Sequence, residues 1–365
     1  MWPVIAASVC ALIAVIALAA LHKTARSRTS SSGPVITQPL AEEALAQLWR
    51  KREAALANDN KSAISALDTG AALARDLNNI AEAVGHGDAG GRPEPALGPH
   101  FVALEQTNRY PYSFLAGVQL QTSVPAREQS TYLLVVTKVS SSSPWRVAME
   151  TTRGGSLEEL WEDLEELKPG SEGSALKQGA ATHGNSDRAW IQPTGTLATV
   201  AAYFQHYAEY GGPPAQSPIM PGPWTTQEGY FIAQNDPRYV VNRQGVRAKV
   251  AYTPDLQDGI YTFVERGLTI TCGTIAVSNV WTPAAPDDYL YQSPSRTNWG
   301  VGLAPGAYQS IRGIGEHQIC LTTSPAKRSI KVFGGEPGPD GSLGVVAGVP
   351  VPQAGAKPAA ERRAS

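Results

Sequence analysis

The hydrophobic period of this chain switches from helical spacing to strict alternation, and that switch limits the fold more than any single residue does. Leu40, Ala44, Leu48 with Trp49, and Leu56 recur near 3.6-residue spacing, followed by Ile64, Leu67, Leu73, Leu77 and Ile80. Asn58-Asp59-Asn60 separates the two stretches with residue types that cap a following helix, and Gly70 interrupts the second. Beyond residue 110 the period becomes two. YPYSFLAGVQLQT (110–122), STYLLVVTKVS (130–140) and PWRVAMETT (144–152) are rich in β-branched and aromatic residues and are separated by turns. Helices followed by an antiparallel meander predict an α+β layer, with the helices on one face of a curved sheet.

The second half repeats the order. GGSLEELWEDLEELKPG (154–170) predicts a helix opened by a Ser156/Glu159 capping box and stopped by Pro169-Gly170. Leu157, Leu160, Trp161, Leu164 and Leu167 form its apolar stripe, surrounded by acids. It reads as a connector packed on its own domain, and alternatively as a docking helix for a basic partner. Residues 171–188 are glycine-rich and polar, as in a linker. GTLATVAAYFQHYAEYGG predicts a helix with Leu197, Ala201, Phe204 and Tyr207 on one side. Strands are then expected at 229–234, 238–254, 258–283 (turning at Glu265-Arg266-Gly267), 317–323, 329–335 and 343–351. Residues 296–317, with their many glycines, read as a long loop. The predicted organisation is a first cone-like α+β domain over 38–152, an acidic connector and linker over 153–190, a more β-rich second α+β domain over 191–351, and a disordered tail over 352–365.

The segment LWRKREAALANDNKSAISALDTGAALARD, with YPYSFLA and the closing PWRV, resembles the nuclear-transport-factor-2-like (cystatin-like) cone fold. It is similar in particular to membrane-anchored envelope proteins of actinobacteria, over roughly residues 38–152. The resemblance implies a fold shared by ketosteroid-isomerase-like enzymes, binding modules and bitopic secretion-system subunits, and it selects no activity.

Upstream, residues 2–21 carry no charge over twenty positions, enough for a helix to cross a hydrocarbon core. With no basic n-region and a long apolar run, the expectation is a retained single-pass anchor over 1–22, with cleavage after Ala17-Leu18-Ala19 as the alternative. Residues 23–37 form a flexible linker. Lys23, Arg26 and Arg28 on the far side of the span argue for a cytoplasmic body. Against this, long domains translocate largely regardless of charge. The body also holds only two cysteines, Cys272 and Cys320, an even number compatible with one disulfide or with two separate thiols. The expected location is the cell membrane, with the C-terminal body outside the cytoplasm.

No catalytic signature emerges. A nucleophile elbow, a phosphate loop, H-E-x-x-H and paired C-x-x-C are absent from the sequence. The two S-x-x-K matches, Ser174–Lys177 and Ser324–Lys327, lack their companion motifs. No histidine falls at metal-ligand spacing with another. His317 and Cys320 would sit on opposite faces of a strand. A net charge of −2 argues against a general nucleic-acid binder. No catalytic residue, metal ligand or cofactor site is therefore assigned. Trp299, Tyr308, Tyr289, Tyr291 and Trp161 form the candidate binding surface, since aromatics beside proline- and glycine-rich segments stack on sugars or anchor partners. The expected function is a non-catalytic binding or scaffolding module for an envelope protein or cell-wall component. The alternatives are an enzyme using a cone-shaped pocket for acid–base or hydrolytic chemistry, and a secretion or conjugation subunit.

Overall fold

The computed structural model describes residues 36–86, 100–105, 109–119, 130–165, 167, 192–227, 246–266, 268–285, 288–292, 303–324, 328–335, 344–350 and 357–358. Among these, no helix is long and apolar enough to cross a membrane. The apolar span at 2–21 and the linker at 171–188 lie outside the described residues.

Three helices come first: α1 (Gln38–Ala57), α2 (Lys61–Leu67) and α3 (Gly70–His86). Asn60 accepts from the Ala63 amide at 3.0 Å and so starts α2, as the break in the sequence suggests. An antiparallel sheet follows, β1 (His100–Leu104), β2 (Tyr112–Gln119), β3 (Ser130–Lys138) and β4 (Arg146–Gly154), paired in chain order. Register shifts at Phe101/Ala103 and Val135/Val136 interrupt the ladder, and such bulges bend and twist a sheet. After α4 (Leu157–Glu165) and α5 (Pro193–Tyr210), with a short π-helical turn at Pro223–Gln227, seven more strands form the second sheet. They are β5 (Val246–Glu265), β6 (Leu268–Pro283), β7 (Asp288–Gln292), β8 (Gly306–Ser324), β9 (Ser329–Gly334), β10 (Gly344–Pro350) and β11 (Lys357–Pro358). Strand β8 is its spine, with β6 and β7 along one edge and β9 and β10 along the other. The architecture is therefore α+β, with two antiparallel sheets of which one curls into a half-barrel.

Alternating residues of the first sheet reach different cores. Phe114, Ala116, Val118, Leu134 and Val136 meet Ala41, Leu45, Leu48 and Trp49 of α1. Leu115, Leu133, Val135 and Met149 point the other way, into a cluster with Leu160 and Leu164 of α4 and Phe263, Ile270, Cys272, Cys320 and Phe333 of the second sheet. The far face of that sheet, through Tyr252, Ile275, Val277, Ile319 and Leu321, is covered by Leu197, Val200, Phe204 and Tyr207 of α5. The order is helices, sheet, sheet, helix. Burial on both faces explains why nearly every residue of β2 is buried where a one-sided sheet would alternate.

Two sequence expectations differ from this architecture. Residues 296–317 read as a loop, yet β8 begins at Gly306. Gly313 and Gly315 are spaced by two and both face inward, so they are strand positions on one face rather than turn signals. The break expected between 254 and 258 is an irregularity between Asp255 and Ile260 within one long strand, with Gly259 at φ +91°. In the tail, Lys357–Pro358 pairs in parallel with β7.

The two sheets also touch edge to edge. Thr152 at the end of β4 and Gly335 just after β9 exchange both backbone hydrogen bonds, at 2.8 and 3.0 Å. Elsewhere on β4 the Thr69 amide donates to the Val147 carbonyl at 2.8 Å, holding the α2–α3 turn against the strand.

Candidate functional site

The stripe of α1 that meets the first sheet contains one charged residue. Arg52 falls in register with Leu45, Leu48, Trp49 and Ala55 and is fully buried. Its Nε donates to both oxygens of Asp68 at 3.0 Å, its Nη2 pairs with Asp76, and its Nη1 lies 2.6 Å from Glu150 Oε2. Arg75 of α3 adds a second guanidinium, pairing with the Glu150 carboxylate and donating from Nη1 to the Glu150 carbonyl at 2.9 Å. The cluster thus draws on α1, the α2–α3 turn, α3 and β4. The Glu150 amide donates to Gln318 Oε1 of β8 at 2.9 Å, which ties the same strand to the second sheet.

Two guanidiniums face three carboxyl groups, so the fully ionised cluster would carry one excess negative charge in a place water does not reach. Burial disfavours that charge, and a shared hydrogen bond with Asp76 adds to the effect. Together they push the Asp68 carboxyl from its ordinary 3.8 up to about 8, against the opposing pull of Arg52. At neutral pH Asp68 therefore keeps its proton, which cancels the excess negative charge. Chemically this is an ion-pair network that locks helices to sheet. Among the described residues, the Arg52, Asp68, Asp76 and Glu150 side chains have zero exposure, and Arg75 keeps only a small exposed edge.

An open groove does exist at the adjoining end of the layer, where the start of α1 meets the end of the β2–β3 pair. Ile36, Leu40 and Ala44 form its helical wall, and Tyr110, Tyr112 and Trp145 its sheet wall. The groove holds about 290 Å³, with Glu43, Gln47 and Lys138 among its lining residues. Trp145 meets Phe114 edge-on at 5.2 Å and carries the Lys138 ammonium 5.7 Å from its ring centroid. Tyr110 and Tyr112 lie 4.3 Å apart by ring centroid. The Tyr112 hydroxyl is buried and has no hydrogen-bond partner among the described residues. Beside the groove, Leu40 and Val139 are 51% and 64% exposed, unusually open for large apolar side chains.

The sequence-selected residues are placed differently. Tyr308 is buried against Leu290 and Ile311, and its hydroxyl donates to the Ala304 carbonyl at 2.7 Å. Tyr289 and Tyr291 flank Leu290 on β7, Tyr289 half-buried and Tyr291 exposed. Trp161 belongs to another cluster, packed on the core under α4 with the Arg266 guanidinium 4.5 Å from its ring centroid. Trp299 lies outside the described residues. Cys272 and Cys320, directly opposed on β6 and β8, are joined as a disulfide. His317 faces the other side of β8, against Phe204 and Tyr252. Among the described residues, no group of three or more His, Cys, Asp or Glu side chains is placed to hold a metal ion.

Sequence reading passed over both the ion cluster and the groove. The signal for the first was present: an arginine one turn beyond Leu48 and Trp49, in the apolar stripe of α1, is out of place unless it is paired. In comparison with known proteins, the chain matches no family model, no curated protein and no solved structure.

Proposed function

We propose that this protein is a non-catalytic binding or scaffolding module of the cell envelope, anchored through residues 2–21 with its body outside the cytoplasm. On this reading its first helix-and-sheet unit is a diverged nuclear-transport-factor-2-like cone. The observation that carries the non-catalytic part is the filled interior. Where a cone enzyme keeps an open cavity between helices and sheet, this chain holds the neutral cluster of Arg52, Arg75, Asp68, Asp76 and Glu150. Surface recognition is supported by the aromatic groove beside exposed Leu40 and Val139. The extracytoplasmic placement is supported by the Cys272–Cys320 disulfide, a bond that oxidising compartments maintain and the cytosol does not.

Protease added to intact cells expressing the full-length chain tests this reading. Digestion of the body without lysis is the expected result, together with a nonreduced mass two hydrogen atoms below that of the reduced chain. A body protected until lysis would remove the envelope from the proposal and move the search to cytoplasmic partners.

A further inference from the structure

We infer that the groove between the start of α1 and the Tyr112/Lys138 end of the first sheet binds a neutral pyranose ring. This inference deepens the binding-module reading and rests on it. The aromatic wall is the first argument: Tyr110, Tyr112 and Trp145 offer carbon surface against which the C–H face of a sugar packs.

Charge balance is the second. Glu43 brings a carboxylate to the lining and Lys138 an ammonium, while Gln47 donates to Glu43 from Nε2 at 3.3 Å and keeps its amide oxygen as an acceptor. An anionic ligand would be opposed by Glu43, and a cationic one by Lys138. A neutral ring bearing hydroxyls, each both donor and acceptor, satisfies all three side chains at once. A purely apolar peptide side chain would instead strip water from Glu43 and Lys138 and return no hydrogen bond.

The third argument is the Tyr112 hydroxyl, which is buried at the groove with no partner among the described residues. Such a group costs stability until something bonds to it. A ligand hydroxyl that reaches it supplies the missing partner. The volume of about 290 Å³ suits a small ligand, at the lower end of small-molecule sites.

The test uses the full-length protein in lipid nanodiscs, which keeps sugar-headed detergents away from the groove. Maltotriose, cellotriose and chitotriose are titrated, with tryptophan fluorescence and saturation-transfer NMR as readouts. One of the three is expected to bind saturably. Trp145→Ala should weaken it by roughly tenfold or more, and Tyr112→Phe by a few fold. Tyr112→Phe removes a hydroxyl with no partner among the described residues, so its melting temperature should not fall, and the variant reports on ligand rather than on folding. Absence of binding by all three sugars overturns the inference, as does binding that both variants leave unchanged. Tighter binding of an apolar peptide than of any sugar overturns it too. Protease access in intact cells without sugar binding would sink this inference and leave the binding-module reading standing. A body shielded in intact cells that nevertheless binds sugar would keep the groove's ligand and overturn the extracytoplasmic placement.

Discussion

Arg52 Nε sits 3.0 Å from each carboxylate oxygen of Asp68, in a place where neither side chain meets solvent. A charge so placed is tolerated because its partners are there, and removing it strands them. Arg52→Ala is therefore expected to destabilise the protein by about 3–5 kcal/mol, the usual consequence of leaving buried charge uncompensated. Arg52→Lys should fall between that variant and wild type, since an ammonium keeps the charge but cannot reach Asp68, Asp76 and Glu150 together. Urea unfolding of the three proteins checks both statements. A loss below about 1 kcal/mol for Arg52→Ala would mean that water enters the cluster freely.

The proton on Asp68 gives that cluster a pH signature. Its folded-state pKa, about 8, lies above the ordinary 3.8, so between those values the folded chain holds a proton that the unfolded chain has released. The stability that this group contributes is complete below the unfolded value and is lost as pH rises through about 8. Asp68→Asn mimics the protonated form at every pH. Near pH 4 and below its stability should match wild type to within about 1 kcal/mol, and the variant should become progressively the more stable protein as pH rises from there towards about 8, with the difference constant beyond. Thermal melts of the pair across that range decide the matter, and parallel curves would show that Asp68 is ionised throughout.

The Cys272–Cys320 disulfide closes a segment of 48 residues between strands that are already paired. Chain-entropy arguments put the stabilisation from a loop of this length at about 4 kcal/mol, and native proteins commonly realise about 2–4. The double variant Cys272→Ala/Cys320→Ala is expected to lose stability in that range while keeping its antiparallel sheet, because β6 and β8 pair over many residues on either side. Denaturant midpoints with and without reductant measure the effect. A wild-type protein indifferent to reductant under denaturing conditions would show that the bond does not form.

Legibility in the sequence followed the reach of each interaction. Signals local in the chain were readable: the Asn60 cap, and the Ser156/Glu159 box, where Ser156 N donates to Glu159 Oε2 at 2.8 Å and Glu159 N to Ser156 Oγ at 3.2 Å. The α4 stripe was also correctly read as core, since Leu160 and Leu164 are wholly buried. Its core, however, is assembled from both sheets, and no periodicity can say which remote strands will supply Phe263 or Phe333. The Arg52 cluster failed to stand out for the same reason. Its members come from positions 52, 68, 75, 76 and 150: Arg52 is conspicuous in its apolar stripe, but nothing local names its partners, which alone read as ordinary surface charges. The groove drew on Tyr110, Tyr112 and Trp145, whose strands were recognised. That those strands close against the start of α1 is a property of sheet curvature, which the alternation pattern does not encode.

Gly334 tests how closely the two sheets are fitted. A methyl group there would meet Leu133 Cδ1 and Thr151 Oγ1 of the first sheet, each at 2.9 Å, whereas one on Gly154 would meet nothing within 4 Å. Both glycines end strands, so the intrinsic effect of adding a methyl is similar and the difference reports on packing across the junction. Gly334→Ala is expected to cost about 1–3 kcal/mol as an overpacked contact, and Gly154→Ala to stay within roughly 0.5 kcal/mol of wild type. Shortening the opposing side chain should recover part of the loss, so Gly334→Ala with Leu133→Val ought to be less than additive, as expected for residues in contact. Additive losses would mean that the Thr152–Gly335 bridge gives way to admit the methyl group, and that the sheets are joined loosely at this edge.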